Sequence, residues 1–220
     1  MNSADEFMDA ALSARKEAGN YRVLRNGATL VDLCSNDYLG FARSAVLKQY
    51  IDDELNRISP VLNGSGGSRL LSGNTSYAEE LESGLALFHG FESGLLYNSG
   101  YDANLGLFSA LPQRGDTVIT DELAHASIID GIRLSYANRY SFRHNDMYSL
   151  EEKLKQAGGR IYIAVESVYS MDGDTAPLKA ICALARQYHA ALIVDEAHAT
   201  GVLAGAWLMS RACSARYLPK

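Results

Sequence analysis

The run Asp195-Glu196-Ala197-His198 ends an apolar stretch, Leu192-Ile193-Val194, which puts a carboxylate at the tip of a buried strand with an imidazole just beyond it. A buried charge without a partner is costly, so Asp195 calls for a cation. A protonated pyridine nitrogen suits it. An ionised carboxylate beside that nitrogen keeps the ring cationic, and a cationic ring draws electrons from a carbanion on an attached carbon. His198, about one helical turn further on, is in range of a ring hydroxyl. A Mg²⁺-binding carboxylate pair is the competing reading of Asp195-Glu196, although no GxxxxGK[ST] motif precedes it.

Three further segments carry candidate groups. Asn98-Ser99-Gly100-Tyr101 follows an apolar run and opens a helical stretch, so its backbone N–H groups could cradle a phosphate; an ordinary turn would need no ligand. His125, in Asp121-Glu122-Leu123-Ala124-His125-Ala126-Ser127, lies just after a strand, at the edge where open α/β sheets bind ligands. It either stacks on a flat heteroaromatic ring or caps a helix. Ser170 precedes the tight-turn pair Asp172-Gly173, so its hydroxyl either meets a cofactor oxygen or faces water. The glycine-rich Gly64-Ser65-Gly66-Gly67-Ser68-Arg69 lacks a P-loop lysine and reads as a loop near a site.

The elements that must position these groups read as an α/β pattern, apolar runs alternating with amphipathic stretches. The runs are 95–97, 117–119, 161–165 and 190–194, with a further candidate at 139–142. Apolar side chains on both faces imply a mostly parallel sheet with helices on both sides. Ser76 with Glu79 and Ser149 with Glu152 fit capping boxes, Gly158-Gly159 fits a helix stop, and Pro177 fits a first helical position. Helices are also expected over 44–58 and near 10–18, with a turn at Asn26-Gly27 and a short strand at 30–33.

The chain has 220 residues, 26 acidic and 20 basic, for a net charge of −6, which argues against a nucleic-acid footprint. No apolar stretch is long enough for a membrane span, and the opening residues are acidic, so a cytoplasmic location is expected. Cys34, Cys182 and Cys213 are odd in number and far apart, and are expected to serve in packing.

Taken together, the segments 34–40, 64–68, 99–101, 125–127, 169–174 and 195–201 resemble those of the α-oxoamine synthases, over about 11–202. These are pyridoxal-phosphate enzymes of the aspartate-aminotransferase fold (fold type I) that condense an amino acid with an acyl thioester and release CO₂. The resemblance implies that Ser99, Gly100 and Tyr101 contact the cofactor on its phosphate side. It also implies that His125 stacks on the ring, Ser170 and His198 bond around the ring hydroxyl, and Asp195 pairs with the ring nitrogen. Arg22 matches a substrate-contacting arginine, and Asn36 falls near the substrate carboxylate. Residues 35–40, 64–68 and 171–177 look most like members that join L-alanine to a pimeloyl thioester, carried by CoA or a carrier protein, in biotin biosynthesis. Residues 121–134 and 145–147 also look like members acting on glycine and acetyl-CoA. A homodimer is implied, with no metal, nucleic acid or membrane partner.

The family pattern further implies a Schiff-base lysine, acid and base at the substrate's α-carbon, beyond the Asp195-to-His198 motif. The sequence ends before it, and Lys220 follows no suitable motif. Residues 203–220 depart from the family's glycine- and charge-rich continuation. The expectation is an N-terminal arm (1–43), an incomplete cofactor-binding large domain (44–202) and an aberrant tail (203–220), inactive as this chain. Two other readings are a non-catalytic partner of a complete subunit and an unrelated nucleotide-binding α/β module.

Overall fold

The computed structural model describes residues 3–24, 31–58 and 63–203. The chain divides into two units, Met1–Asn36 and Asp37–Lys220. In the first, helix α1 (Ala4–Glu17) starts at a capping box in which Ser3 and Glu6 each accept the other's backbone N–H, and none of its residues is buried. It begins well before the expected 10–18. Residues 31–33 form no strand, so that expectation fails; the Asn26-Gly27 turn and Leu30 lie outside the described residues.

In the second unit, α2 (Ala45–Arg57) and α3 (Ser76–His89) precede α4 (Gly100–Ala110). The chain then alternates through β1 (Thr117–Asp121), α5 (Ala126–Leu134), β2 (Asn138–Phe142), α6 (Met147–Gln156), β3 (Ile161–Glu166), α7 (Leu178–Gln187) and β4 (Ala191–Asp195). The strands form one parallel sheet in the order β2-β1-β3-β4. Its two faces take alternate residues, as the period of two requires. Val118 and Ala164 pack with Phe108, Ile128 and Ile132 from α4 and α5. Ile119, Ile163 and Val165 pack with Leu150, Leu154 and Ile181 from α6 and α7. The sheet therefore carries helices on both faces, as its doubly apolar central strands imply.

Four of the expected strands form, but 95–97 does not. That segment runs beside α3, where the Leu96 N–H is taken by Glu82 Oε1 at 2.8 Å. An apolar run specifies a tendency to burial and leaves the pairing partner open. Both expected capping boxes shift. Thr75, not Ser76, caps α3. Asp146, not Ser149, caps α6, and Ser149 is buried within the helix with its Oγ accepting the Arg143 N–H. Pro177 stands one position before the first residue of α7. Cys182 is buried on α7 among the core residues, as a packing role implies, whereas Cys34 is free and exposed and packs in no core.

Gly131 and Gly159 are among the glycines that set close approaches. A Cβ at Gly131 of α5 would lie 2.8 Å from Asn104 O and 2.9 Å from Phe108 Cβ, so its absence lets α5 settle onto α4. Gly159, at φ +67°, lies against Gly115 at the amino edge of the sheet, where a Cβ would come within 2.2 Å of the Gly115 carbonyl oxygen. That edge is latched. Asp116 accepts the N–H groups of Gln113 and Arg160 and pairs with the Arg160 guanidinium at 2.9 Å. Thr117 Oγ1 donates to the Gly158 carbonyl and accepts the Gly158 N–H.

Candidate active site

Because all four strands run the same way, the loops that follow them gather at one edge. Asp195, the last residue of β4, is half-buried there. Its Oδ1 accepts the Ala197 N–H at 2.9 Å and its Oδ2 accepts from Asn104 Nδ2 at 2.8 Å. Neither donor carries a charge, so the carboxylate is oriented while its charge stays uncompensated among the described residues. A cationic ring nitrogen is the kind of group that such a carboxylate fits.

Asn104 also donates from Nδ2 to Ser127 Oγ at 3.0 Å, and Ser127 Oγ lies 2.7 Å from His125 Nδ1. His125 caps α5, its Nδ1 accepting the Ser127 N–H at 3.2 Å. The imidazole stays exposed at the edge. Both readings of His125 from the sequence are compatible with this geometry, because capping uses one nitrogen and leaves the ring faces available. A continuous hydrogen-bonded chain thus joins Asp195 to His125 through Asn104 and Ser127.

Beneath the loop, Glu166 ends β3 directly beside Asp195 in the parallel register. It is 3% exposed and accepts the His125 N–H at 2.7 Å. Burial first, and the Asp195 charge in addition, push its carboxyl above the usual carboxylate range against the lowering effect of that N–H.

Ser99 caps α4 through Oγ, accepting the Asp102 N–H at 3.0 Å, which leaves the N–H groups of Gly100 and Tyr101 in the first turn without intrahelical acceptors. The Tyr101 ring stands edge-on to His125 with centroids 6.2 Å apart. Its hydroxyl donates to Asp130, which raises the phenol pKa, with burial adding to it. His198 lies in the turn after β4, its Nδ1 2.7 Å from the Tyr38 hydroxyl. Ser170 lies on an exposed turn after β3, and no described hydrogen bond ties it to the other candidates. Arg22 and Asn36 are exposed residues of the N-terminal unit.

The fold thus brings Ser99, Gly100, Tyr101, His125 and Asp195 into one connected edge, with His198 on the turn beside Asp195. The sequence reading missed Asn104, Ser127, Glu166 and Tyr38. Asn104 had a signal, a lone amide among the apolar residues of a helix. Glu166 had the same signal as Asp195, a carboxylate closing an apolar strand.

This edge, on a parallel sheet covered by helices, is the arrangement of a fold type I transferase large domain. Residues 28–216 match the model of the aminotransferase class I and II family, and the chain belongs to that family. It is similar to the 8-amino-7-oxononanoate synthase of Geobacter sulfurreducens, 48% identical over 195 residues that cover 87% of this chain and 49% of that protein. Among solved structures it resembles a serine palmitoyltransferase from S. paucimobilis with PLP and myriocin bound (TM-score 0.71, 28% identity, 89% of this chain and 55% of that one). It also resembles the 8-amino-7-oxononanoate synthase of Francisella tularensis (TM-score 0.62, 27% identity, 77% of this chain and 45% of that one). The chain spans about half the length of the curated relatives it matches.

Proposed function

We propose that the whole protein is a pyridoxal-phosphate-dependent α-oxoamine synthase that condenses L-alanine with a pimeloyl thioester to give 8-amino-7-oxononanoate and CO₂. This is a step of biotin biosynthesis, carried out here by a cytoplasmic homodimer. The observation that carries the reading is Asp195: a half-buried carboxylate at a strand tip, oriented by two neutral donors and linked through Asn104 and Ser127 to His125. The similarity to 8-amino-7-oxononanoate synthases supports the choice of substrates.

Residues 44–202 supply the cofactor seat. Asp195 would pair with the ring nitrogen and keep it protonated. His125 would cover one face of the ring and exclude water from it. The N–H groups of Gly100 and Tyr101, with Ser99 fixing the helix start, would receive the phosphate. Ser170 and His198 would bond around the ring hydroxyl, with the Tyr38 hydroxyl holding His198 Nδ1. By the family resemblance, Arg22 corresponds to a substrate-contacting arginine and Asn36 to a residue near the substrate carboxylate. When bound, pyridoxal phosphate supplies an electron sink for charge developing at the amino acid's α-carbon.

The test is to supply the intact protein with pyridoxal phosphate, L-alanine and pimeloyl-CoA or the acylated carrier protein, and to follow thiol and CO₂ release. Alanine-dependent turnover supports the reading. A preference for glycine and acetyl-CoA would replace it with 2-amino-3-ketobutyrate CoA ligase. Tight ATP or NAD binding without any response to pyridoxal phosphate would overturn both.

A further inference from the structure

We propose that His144 is a positioning residue that holds the loop carrying His125 and the turn carrying Ser170 in fixed relation at the carboxyl edge of the sheet. The inference rests on the reading of those two residues as cofactor contacts. His144 follows β2, and its imidazole lies between two carboxylates: Nδ1 is 2.9 Å from Asp121 Oδ1 and Nε2 is 2.7 Å from Asp174 Oδ2. Each carboxylate anchors a different loop.

Asp121 is fully buried at the end of β1. Its Oδ1 also accepts the Leu123 N–H at 2.9 Å, and its backbone carbonyl accepts the Ala124 N–H, so it sets the path of the chain into His125. Asp174 closes the turn 169–174. Its carbonyl accepts the Tyr169 N–H, the Tyr169 carbonyl accepts the Gly173 N–H, and Ser170 lies between. The Tyr169 ring, 1% exposed, stands edge-on to the His144 ring at 4.5 Å.

Asn145 doubles the connection. At φ +54° it presents its N–H to Asp121 Oδ2 at 3.0 Å and its Nδ2 to Asp174 Oδ2 at 2.8 Å. Glu122 accepts the His144 N–H at 2.8 Å, so the backbone of the clip is fixed as well as its side chains. Two carboxylates drawn together around a partly buried point repel unless a cation stands between them, and charge-assisted hydrogen bonds to both make the approach favourable. Burial lowers the His144 pKa, but the two carboxylates outweigh it and leave the group above its ordinary value. His144 has no assigned part in binding or reaction, and its chemistry is spent on relating two loops that do.

Two substitutions separate this role from general support. His144→Phe keeps a ring against Tyr169 and removes both N–H donors. Asp174→Ala releases only the turn, because Asp121 keeps His144 and the Asn145 N–H. In hydrogen exchange on the full chain, His144→Phe is expected to speed exchange of 122–127 and of 168–175 together by about tenfold or more. Segments 161–166 and 178–187 should stay at wild-type rates. Asp174→Ala should free 168–175 and leave 122–127 protected. Titration of the same proteins with pyridoxal phosphate, followed by fluorescence quenching, should show about tenfold weaker uptake by His144→Phe. Unchanged exchange in both loops, a uniform rise over the whole domain, or loosened loops with undiminished cofactor affinity would each overturn the inference. If the intact wild-type protein takes up no pyridoxal phosphate, the functional reading fails, and the exchange comparison still decides whether His144 couples the loops.

Discussion

Asn104 donates a hydrogen bond of 2.8 Å to Asp195 across 91 positions of sequence, from the middle of α4 to the tip of β4. The same nitrogen reaches Ser127, so one amide fixes both the carboxylate and the base of the His125 loop. Asn104→Ala is expected to cost about 1–2 kcal/mol in urea unfolding, the scale of losing half-buried polar contacts. Asn104→Asp should cost more, because it sets a second negative charge against Asp195. Pyridoxal phosphate uptake should fall in the same order. Equal effects of the two variants would remove Asn104 from its orienting role.

Gly131→Ala tests the helix contact on which that amide depends. The added methyl would meet the Asn104 carbonyl at 2.8 Å and Phe108 Cβ at 2.9 Å, both part of a packed interface. The expected penalty is about 1–3 kcal/mol, typical of overpacking, together with weaker cofactor uptake. Chemical denaturation and titration read the two effects separately.

Acid should loosen the glycine-rich loop. Arg69 grips Glu82 through both guanidinium nitrogens, and with the Leu96 N–H adding to it this holds the Glu82 pKa down to about 2. A depressed carboxylate contributes stability that is complete above its unfolded pKa, about 4.3. The contribution is lost as the pH falls through that value toward about 2. Stability measured against pH should therefore drop across this window in the wild type, and Arg69→Gln should flatten the drop. An unaltered profile in the variant would contradict this assignment.

His144 predicts the opposite sign. Its pKa is raised in the fold because Asp121 and Asp174 outweigh the effect of burial. Its contribution is then complete below the unfolded value of about 6.5 and is lost as the pH rises through the folded pKa. The stability difference between wild type and His144→Phe should shrink as the pH is raised from about 6 into the alkaline range. NMR of the imidazole resonances provides a direct reading of the same titration.

Much of the sheet was legible because a strand with helices on both sides must be apolar on both sides, and 117–121 and 161–166 are. The run 95–97 is apolar as well and forms no strand, since pairing depends on neighbours that composition does not name. Helix starts slipped where two polar residues competed for one cap, Thr75 against Ser76 and Asp146 against Ser149. At the site, Asp195 and His125 were legible because each follows an apolar strand. Asn104, Ser127 and Tyr38 were not, because their partners come from distant elements and only the folded chain brings them within 3 Å. Asp121 and Glu166 obeyed the rule that identified Asp195, and applying it to every strand end would have found them.

The latch formed by Asp116, Arg160, Thr117 and Gly158 lies at the opposite rim from His125 and Asp195. Durability consequently has its own address in this domain. A protein engineer seeking longer shelf life can vary the chain around 111–116 and 157–160 with little interference with the rim that carries His125 and Asp195.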